Sequence, residues 1–214
     1  MPNNELCEIA IILDRSGSMA SIKEDMEGGF KTFMEEQRLV PSPCVVSLYQ
    51  FDNDMNVVFE ERPLADVADL VLAPRGGTAL YDAMGQVIVM MGERLAKKPE
   101  QERPGKVVVL VITDGQENAS KEYAAASVKN MVTEQREKYN WQFAFLGANI
   151  DSFDVGGHLG VAATSTANYE ANARGVRQGY QVSGQAVRSY RSGRGASGQS
   201  VHGVDFTSEE EKKP

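Results

Sequence analysis

Two histidines, two cysteines and one tryptophan are all that this 214-residue chain carries of those types. His158 and His202 are too few and too isolated to build a zinc site. Cys7 and Cys44 each fall in an apolar segment, which suits buried, reduced thiols better than a disulfide or a metal site. No apolar run approaches the ~20 residues needed to span a bilayer, so no membrane association is expected. The opening residues Met1-Pro2-Asn3-Asn4-Glu5 lack the basic patch and long apolar stretch of a signal peptide, and a cytoplasmic location is expected. Positive charge is also scarce: 22 Lys and Arg stand against 30 Asp and Glu, for a net charge of −8. The basic residues are scattered, which argues against nucleic acid as a partner, because such binding depends on neutralising phosphates. Gly156-Gly157 resembles a phosphate-cradling loop only superficially, because no GxxxxGK[ST] or GxGxxG context accompanies it.

What is present is a hydrophobic fraction of 42%, enough for a sizeable core, and a regular alternation of elements without internal repeats. Cys7 to Leu13 (CEIAIIL) is a short apolar run with no polar alternation, as expected of a strand covered on both faces. Ser21 to Arg38 carries Ile22, Met26, Phe30, Phe33 and Met34 at helical spacing, weakened by Gly28-Gly29. Val45 to Phe51 and Met55 to Glu60 read as strands joined by Asp52-Asn53-Asp54, an antiparallel hairpin whose Asp and Asn are turn residues. A short helix is expected over Leu64 to Leu72, then a helix with Leu80, Met84, Val87, Ile88, Met91 and Leu95 on one face. Val107 to Thr113 is the most apolar strand. It precedes a helix from about Ser120 to Tyr139, a strand from Trp141 to Leu146 and a short helix from Phe153 to Leu159. An edge strand over Val161 to Ala163 and a helix from about Asn168 to Tyr190 complete the order. The fold class is therefore α/β: a doubly wound, mostly parallel sheet of about six strands with one antiparallel edge strand and helices on both faces.

The domain is expected over residues 5–190. From Arg191 the stretch RSGRGASGQSVHG reads as a flexible Gly/Ser-rich linker. The acidic end VDFTSEEEKKP carries one apolar pair, Val204 and Phe206; a disordered tail is the expectation and a short docking peptide the alternative.

The residues that carry chemistry stand at strand ends. Asp14, Ser16 and Ser18 place one carboxylate and two hydroxyls on the loop after the first strand. Oxygen donors at alternate positions suit a hard cation such as Mg²⁺, with Mn²⁺ or Ca²⁺ as alternatives. Asp114 ends the strongest strand (VVVLVITDG), and Thr78 opens a helix behind two glycines (RGGTALYDA). In an open parallel sheet such loops converge on one crevice. The competing reading is a helix N-cap, in which Ser18 or Ser21 caps the following helix without metal.

The chain resembles the von Willebrand factor type A domain family on these residues. Asp14-Arg15-Ser16-Gly17-Ser18 matches the Asp-x-Ser-x-Ser element of that family's metal-ion-dependent adhesion site, Thr78 its threonine and Asp114 its second aspartate. Element order agrees from about Glu5 to Tyr190, and bacterial and phage members are the most similar around GGTALYDA. The resemblance implies Mg²⁺ held by these residues, with a coordination position completed by an Asp or Glu of a partner protein. It implies a binding module, not an enzyme. Asp82, four residues beyond Thr78, lies outside the motif.

Two other functions compete. A Mg²⁺-dependent phosphohydrolase of haloacid dehalogenase type also uses an aspartate at the end of its first strand, but requires an acid two residues on, where this chain has Ser16. Self-assembly as a homo-oligomer would use Asp205, Glu209, Glu210 or Glu211 of the tail as the metal's last ligand, from a neighbouring copy or as an autoinhibitor.

Overall fold

The computed structural model describes residues 1–195 and 198–207. The strands are β1 (Asn3–Asp14), β2 (Cys44–Phe51), β3 (Met55–Pro63), β4 (Pro104–Thr113), β5 (Gln142–Gly147) and β6 (Thr166–Asn168). The helices are α1 (Lys23–Arg38), α2 (Leu80–Lys97), α3 (Ala125–Tyr139), α4 (Ser152–His158) and α5 (Ala173–Ser192). One six-stranded sheet runs β3-β2-β1-β4-β5-β6, parallel throughout except for β3, which lies antiparallel on the β2 edge. The apolar run of β1 is buried on both faces. Ile9, Ile11 and Leu13 join the core beneath α1 and α5, whereas Ala10 and Ile12 join the core beneath α2 and α3.

Local propensity yields to packing in α1. Gly29 costs helix stability, but α1 and α5 cross there so closely that a Cβ would sit inside the Tyr180 ring. Elsewhere tertiary partners shift the expected boundaries. Residues 64–72 form only a 3₁₀ turn, Leu64–Asp66, and then continue without regular secondary structure. Arg38 Nη2 takes the carbonyls of Leu64 and Val67, and Glu27 accepts from the Leu72 amide, so side chains from α1 replace helical hydrogen bonds. The last strand is Thr166–Asn168, not 161–163, because the Val161 amide is used by the Gly156 carbonyl at the end of α4. Helix α5 starts at Ala173, where Asn172 caps the Arg174 and Gly175 amides.

The expectation of a free segment from Arg191 is corrected over the described residues. Arg191 is buried and its guanidinium donates to the carbonyls of Gln37 and Ser42. Residues 198–207 fold back against the start of β5. There Val204 and Phe206 enter the core under α5, Ser165 Oγ donates to the Val204 carbonyl at 2.6 Å, and the Phe206 amide donates to the Thr164 carbonyl at 2.7 Å. Composition reads as linker because two apolar side chains suffice to anchor the strap. Glu209, Glu210 and Glu211 lie outside the described residues. Phe206→Ala should lower stability by about 3 kcal/mol in urea denaturation; an unchanged midpoint would show that the strap contributes nothing to the fold. None of the described helices is long and apolar enough to cross a membrane.

Candidate metal site

Register brings the two aspartates together. Leu13 pairs with Ile112 across β1 and β4, so Asp14 at the end of β1 lies level with Thr113, and Asp114 is the next residue. Asp14 Oδ2 accepts from Thr113 Oγ1 and Oδ1 from the Ser16 amide, both at 2.6 Å. Ser18 Oγ donates to Asp114 Oδ1 at 2.6 Å and lies 3.1 Å from Ser16 Oγ. The third loop docks through its backbone: the Gly17 amide donates to the Gly76 carbonyl and the Arg75 amide to the Arg15 carbonyl. Gly76 makes that turn at φ +69°, where a side chain would be strained.

Thr78 completes the group. A Cβ placed on Gly115 would stand 3.4 Å from Thr78 Oγ1 and 3.8 Å from Ser18 Oγ, so the glycine after Asp114 leaves open the space that these hydroxyls share. Asp14, Ser16, Thr78 and Asp114 are buried, whereas Ser18 is exposed and marks the open side. The capping alternative fails on geometry. No side chain caps the 3₁₀ turn Gly17–Ile22 or α1; Ser18 Oγ reaches across to Asp114 and Ser21 Oγ donates to the Ser18 carbonyl.

Burial raises both carboxyl groups. Asp14 is pushed up to about 6 by loss of solvent and, to a lesser degree, by the charge of Asp114, against the Thr113 and Ser16 hydrogen bonds. Asp114 is raised by burial too, opposed by Ser18. Two desolvated carboxylates facing three hydroxyls are an environment that a divalent cation would relieve. Among the described residues no group of three His, Cys, Asp or Glu is placed to hold a metal, so a cation here takes hydroxyl oxygens besides the two carboxylates. That donor chemistry fits a small hard ion.

Several residues that frame the site escape the motif. Asp82, on the first turn of α2, accepts from the amides of Lys121, Glu122 and Tyr123 at 2.7–2.9 Å. Glu117 accepts from the amides of Tyr81, Ala119 and Ser120 and from Ser120 Oγ. These bonds hold residues 117–123 non-helical, so α3 begins at Ala125 and not at Ser120, and they tie the loop after Asp114 to the helix that follows Thr78. Thr78 and Asn118 reinforce this by exchanging bonds, Thr78 amide to Asn118 Oδ1 and Asn118 amide to the Thr78 carbonyl. Asp82→Ala should speed hydrogen exchange at the amides of residues 121–123 and cost about 2–3 kcal/mol. Unaltered exchange there would remove Asp82 from the site's support.

Asp52 also does more than turn the hairpin. Its Oδ2 accepts from Arg15 Nε at 2.9 Å and Arg75 Nε at 2.8 Å, and its Oδ1 from the Asp54 amide. Burial works against its charge, but the arginines and the amide outweigh it, and the carboxyl sits below its ordinary range. Asp52 thus fastens the loop after β1 to the loop before Thr78.

The family model described as the von Willebrand factor type A domain matches residues 8–173. Among solved structures, proximal thread matrix protein 1 from the mussel byssus superposes with a TM-score of 0.60 at 14% identity, over 83% of this chain and 45% of that one. A von Willebrand factor type A structure from Catenulispora acidiphila gives 0.59 at 14%, over 90% and 43%. The ArnB paralog VWA2 from Sulfolobus acidocaldarius gives 0.53 at 16%, over 82% and 44%. At these identities the likeness is one of fold, and the chain spans less than half the length of each structure. The mussel protein has also been solved with a zinc-occupied adhesion-site motif. Among curated proteins none matches.

Proposed function

The chain belongs to the von Willebrand factor type A domain family, and on that premise we propose that it is a protein-binding module that works through a divalent metal. Asp14, Ser16, Ser18, Thr78 and Asp114 would hold the ion, some of them through water, and Mg²⁺ suits their oxygen-only chemistry. The observation that carries the reading is the 2.6 Å bond from Ser18 Oγ to Asp114 Oδ1, which joins loops 96 residues apart in the chain around one opening. The mussel protein's zinc-occupied motif supports a metal at such a position.

When bound, the ion supplies a Lewis-acidic position that an Asp or Glu of a partner protein can fill. The chain's own residues do the rest. Thr113 and the Ser16 amide orient Asp14, Ser18 and Asp114 hold one another in place, and Asp52, Asp82 and Glu117 fix the three loops. The exposed side at Ser18 leaves room for the partner, and the three neutral hydroxyls add no negative charge beyond the two aspartates that would repel an incoming carboxylate. We assign no catalytic role. A phosphohydrolase would need an acid where Ser16 stands, and that hydroxyl packs on Ser18.

Autoinhibition, with Asp205 filling its own copy's site, is disfavoured, since the strap holds that residue beside the start of β5, at the opposite end of the sheet from Asp14. Calorimetric titration of Mg²⁺ and Mn²⁺ into the protein and into Asp14→Ala tests the reading. One-to-one binding lost in the variant is expected; equal binding by both proteins would end the proposal.

A further inference from the structure

Next to the metal position stand two guanidinium groups that the adhesion-site motif does not use. Arg15 lies between the site residues Asp14 and Ser16, and Arg75 lies three residues before Thr78 with its amide bonded to the Arg15 carbonyl. Both side chains converge on a single carboxylate oxygen, Asp52 Oδ2, and both do so through Nε. Their Nη nitrogens have no acceptor among the described residues. Neither do they belong to the buried unpartnered atoms, which include Arg94 and Arg191 nitrogens but none of Arg15. The Arg75 side chain is 68% exposed, the Arg15 side chain 11%.

One carboxylate therefore holds two cations by their inner edges and leaves the outer forks undercommitted. Asp54 lends Arg75 some further negative charge, but takes none of its donors. A guanidinium fork matches a carboxylate with two parallel N–H···O bonds, which makes such a pair both stronger and more directional than a lysine contact. The Asp52 clamp restrains both guanidinium groups before binding, which reduces the loss of side-chain freedom when a partner docks.

We propose that Arg15 and Arg75 form a carboxylate-binding subsite beside the metal position, so that the partner is a protein segment carrying two nearby acidic residues. The first carboxylate goes to the metal and the second to the arginines. This rests on the metal-dependent reading above and deepens it: the metal supplies affinity for any accessible acid, and the arginine pair selects segments with a second one. It also assigns a role to the x position of Asp-x-Ser-x-Ser in this chain, where a small or apolar residue would serve the metal equally well.

The test uses N-acetylated, C-amidated peptides, Asp-Gly-Asp and Asp-Gly-Gly-Asp, against counterparts with one Asp replaced by Asn. Binding to the full chain is followed by NMR shift titration at saturating Mg²⁺. The better paired-acid peptide should bind roughly tenfold more tightly than its single-acid counterparts, and Arg75→Gln should erase that difference when each protein is titrated at a Mg²⁺ concentration that calorimetry shows to saturate it. A preference that survives Arg75→Gln overturns the subsite, as does the absence of any preference in the unaltered chain. Peptide binding that persists in Asp14→Ala or without metal would instead overturn the metal-dependent reading, so the two failures are separable.

Discussion

In metal-free buffer at pH 7, Asp14→Asn should make the fold more stable, by about 3 kcal/mol, while abolishing divalent-metal binding. Asp14 is fully buried with Asp114 beside it, and burial pushes its carboxyl from 3.8 up to about 6. At about 1.4 kcal/mol for each pK unit, holding that group ionised at neutral pH costs the metal-free fold about 3 kcal/mol. Because the folded-state value lies above the unfolded one, the folded chain binds the proton more tightly between the two. The contribution of Asp14 to stability is therefore greatest below about pH 4, falls as pH rises to about 6, and stays reduced above. Asparagine carries no charge and fits the same partners. Its oxygen can accept from the Ser16 amide, and the Thr113 hydroxyl can accept from its amide while donating to the Gly115 carbonyl, already 3.2 Å away. Chemical denaturation at pH 4 and pH 7 with chelator measures both terms. A variant less stable than the parent at pH 7, with the parent's pH slope intact, would show that Asp14 is not the strained group. The same substitution leaves only one carboxylate in the donor set, which is why stability and metal affinity move in opposite directions.

Arg94→Met should cost about 3–5 kcal/mol, a fall of roughly 10 °C in Tm for a domain of this size. Glu8 is completely buried inside β1, where its Oε1 accepts from Arg94 Nη2 at 2.5 Å and Ser47 Oγ at 2.9 Å. Burial raises the Glu8 carboxyl and the Arg94 charge opposes that rise. Arg94 also lies 3.6 Å from Glu61 and 3.8 Å from Glu60 on the edge strand, and Glu61 pairs in turn with Lys98. Removing the guanidinium leaves a carboxylate in the core without a counter-charge, and the loss is that desolvation. The double variant Glu8→Gln/Arg94→Met should recover most of it, because no charge then remains buried. If the double variant is no better than Arg94→Met, lost packing of the arginine stem is the cause, and the ion pair is not. This cluster lies toward the β2–β3 edge away from Asp14, so metal affinity should not change in either variant.

The layered fold was legible because strands and helices announce themselves through local periodicity. The apolar run of β1, the amphipathic stripe of α2 and the Asp52-Asn53-Asp54 hairpin all appear where their patterns place them. The five candidate ligands were legible because a spaced motif survives without knowledge of distance. The elements that went elsewhere are those whose backbone groups are satisfied from afar. Residues 64–72 lose a helix to Arg38 and Glu27, and residues 120–124 lose one to Asp82 and Glu117. Gly28-Gly29 looked like a weakness in α1, and Gly29 is instead the point where Tyr180 packs.

By itself the sequence determined the alternation of elements, the parallel sheet with one reversed edge, and the set of oxygens at the strand ends, since each depends on neighbours a few residues apart. Tertiary structure alone decided that Asp14 and Asp114 share one buried pocket and that Asp52 clamps Arg15 to Arg75. It alone docked Phe206, from a stretch composed like a linker, into the core. Those outcomes depend on strand register and on which distant group reaches an unpaired amide, guanidinium or apolar gap first, and no local pattern encodes that.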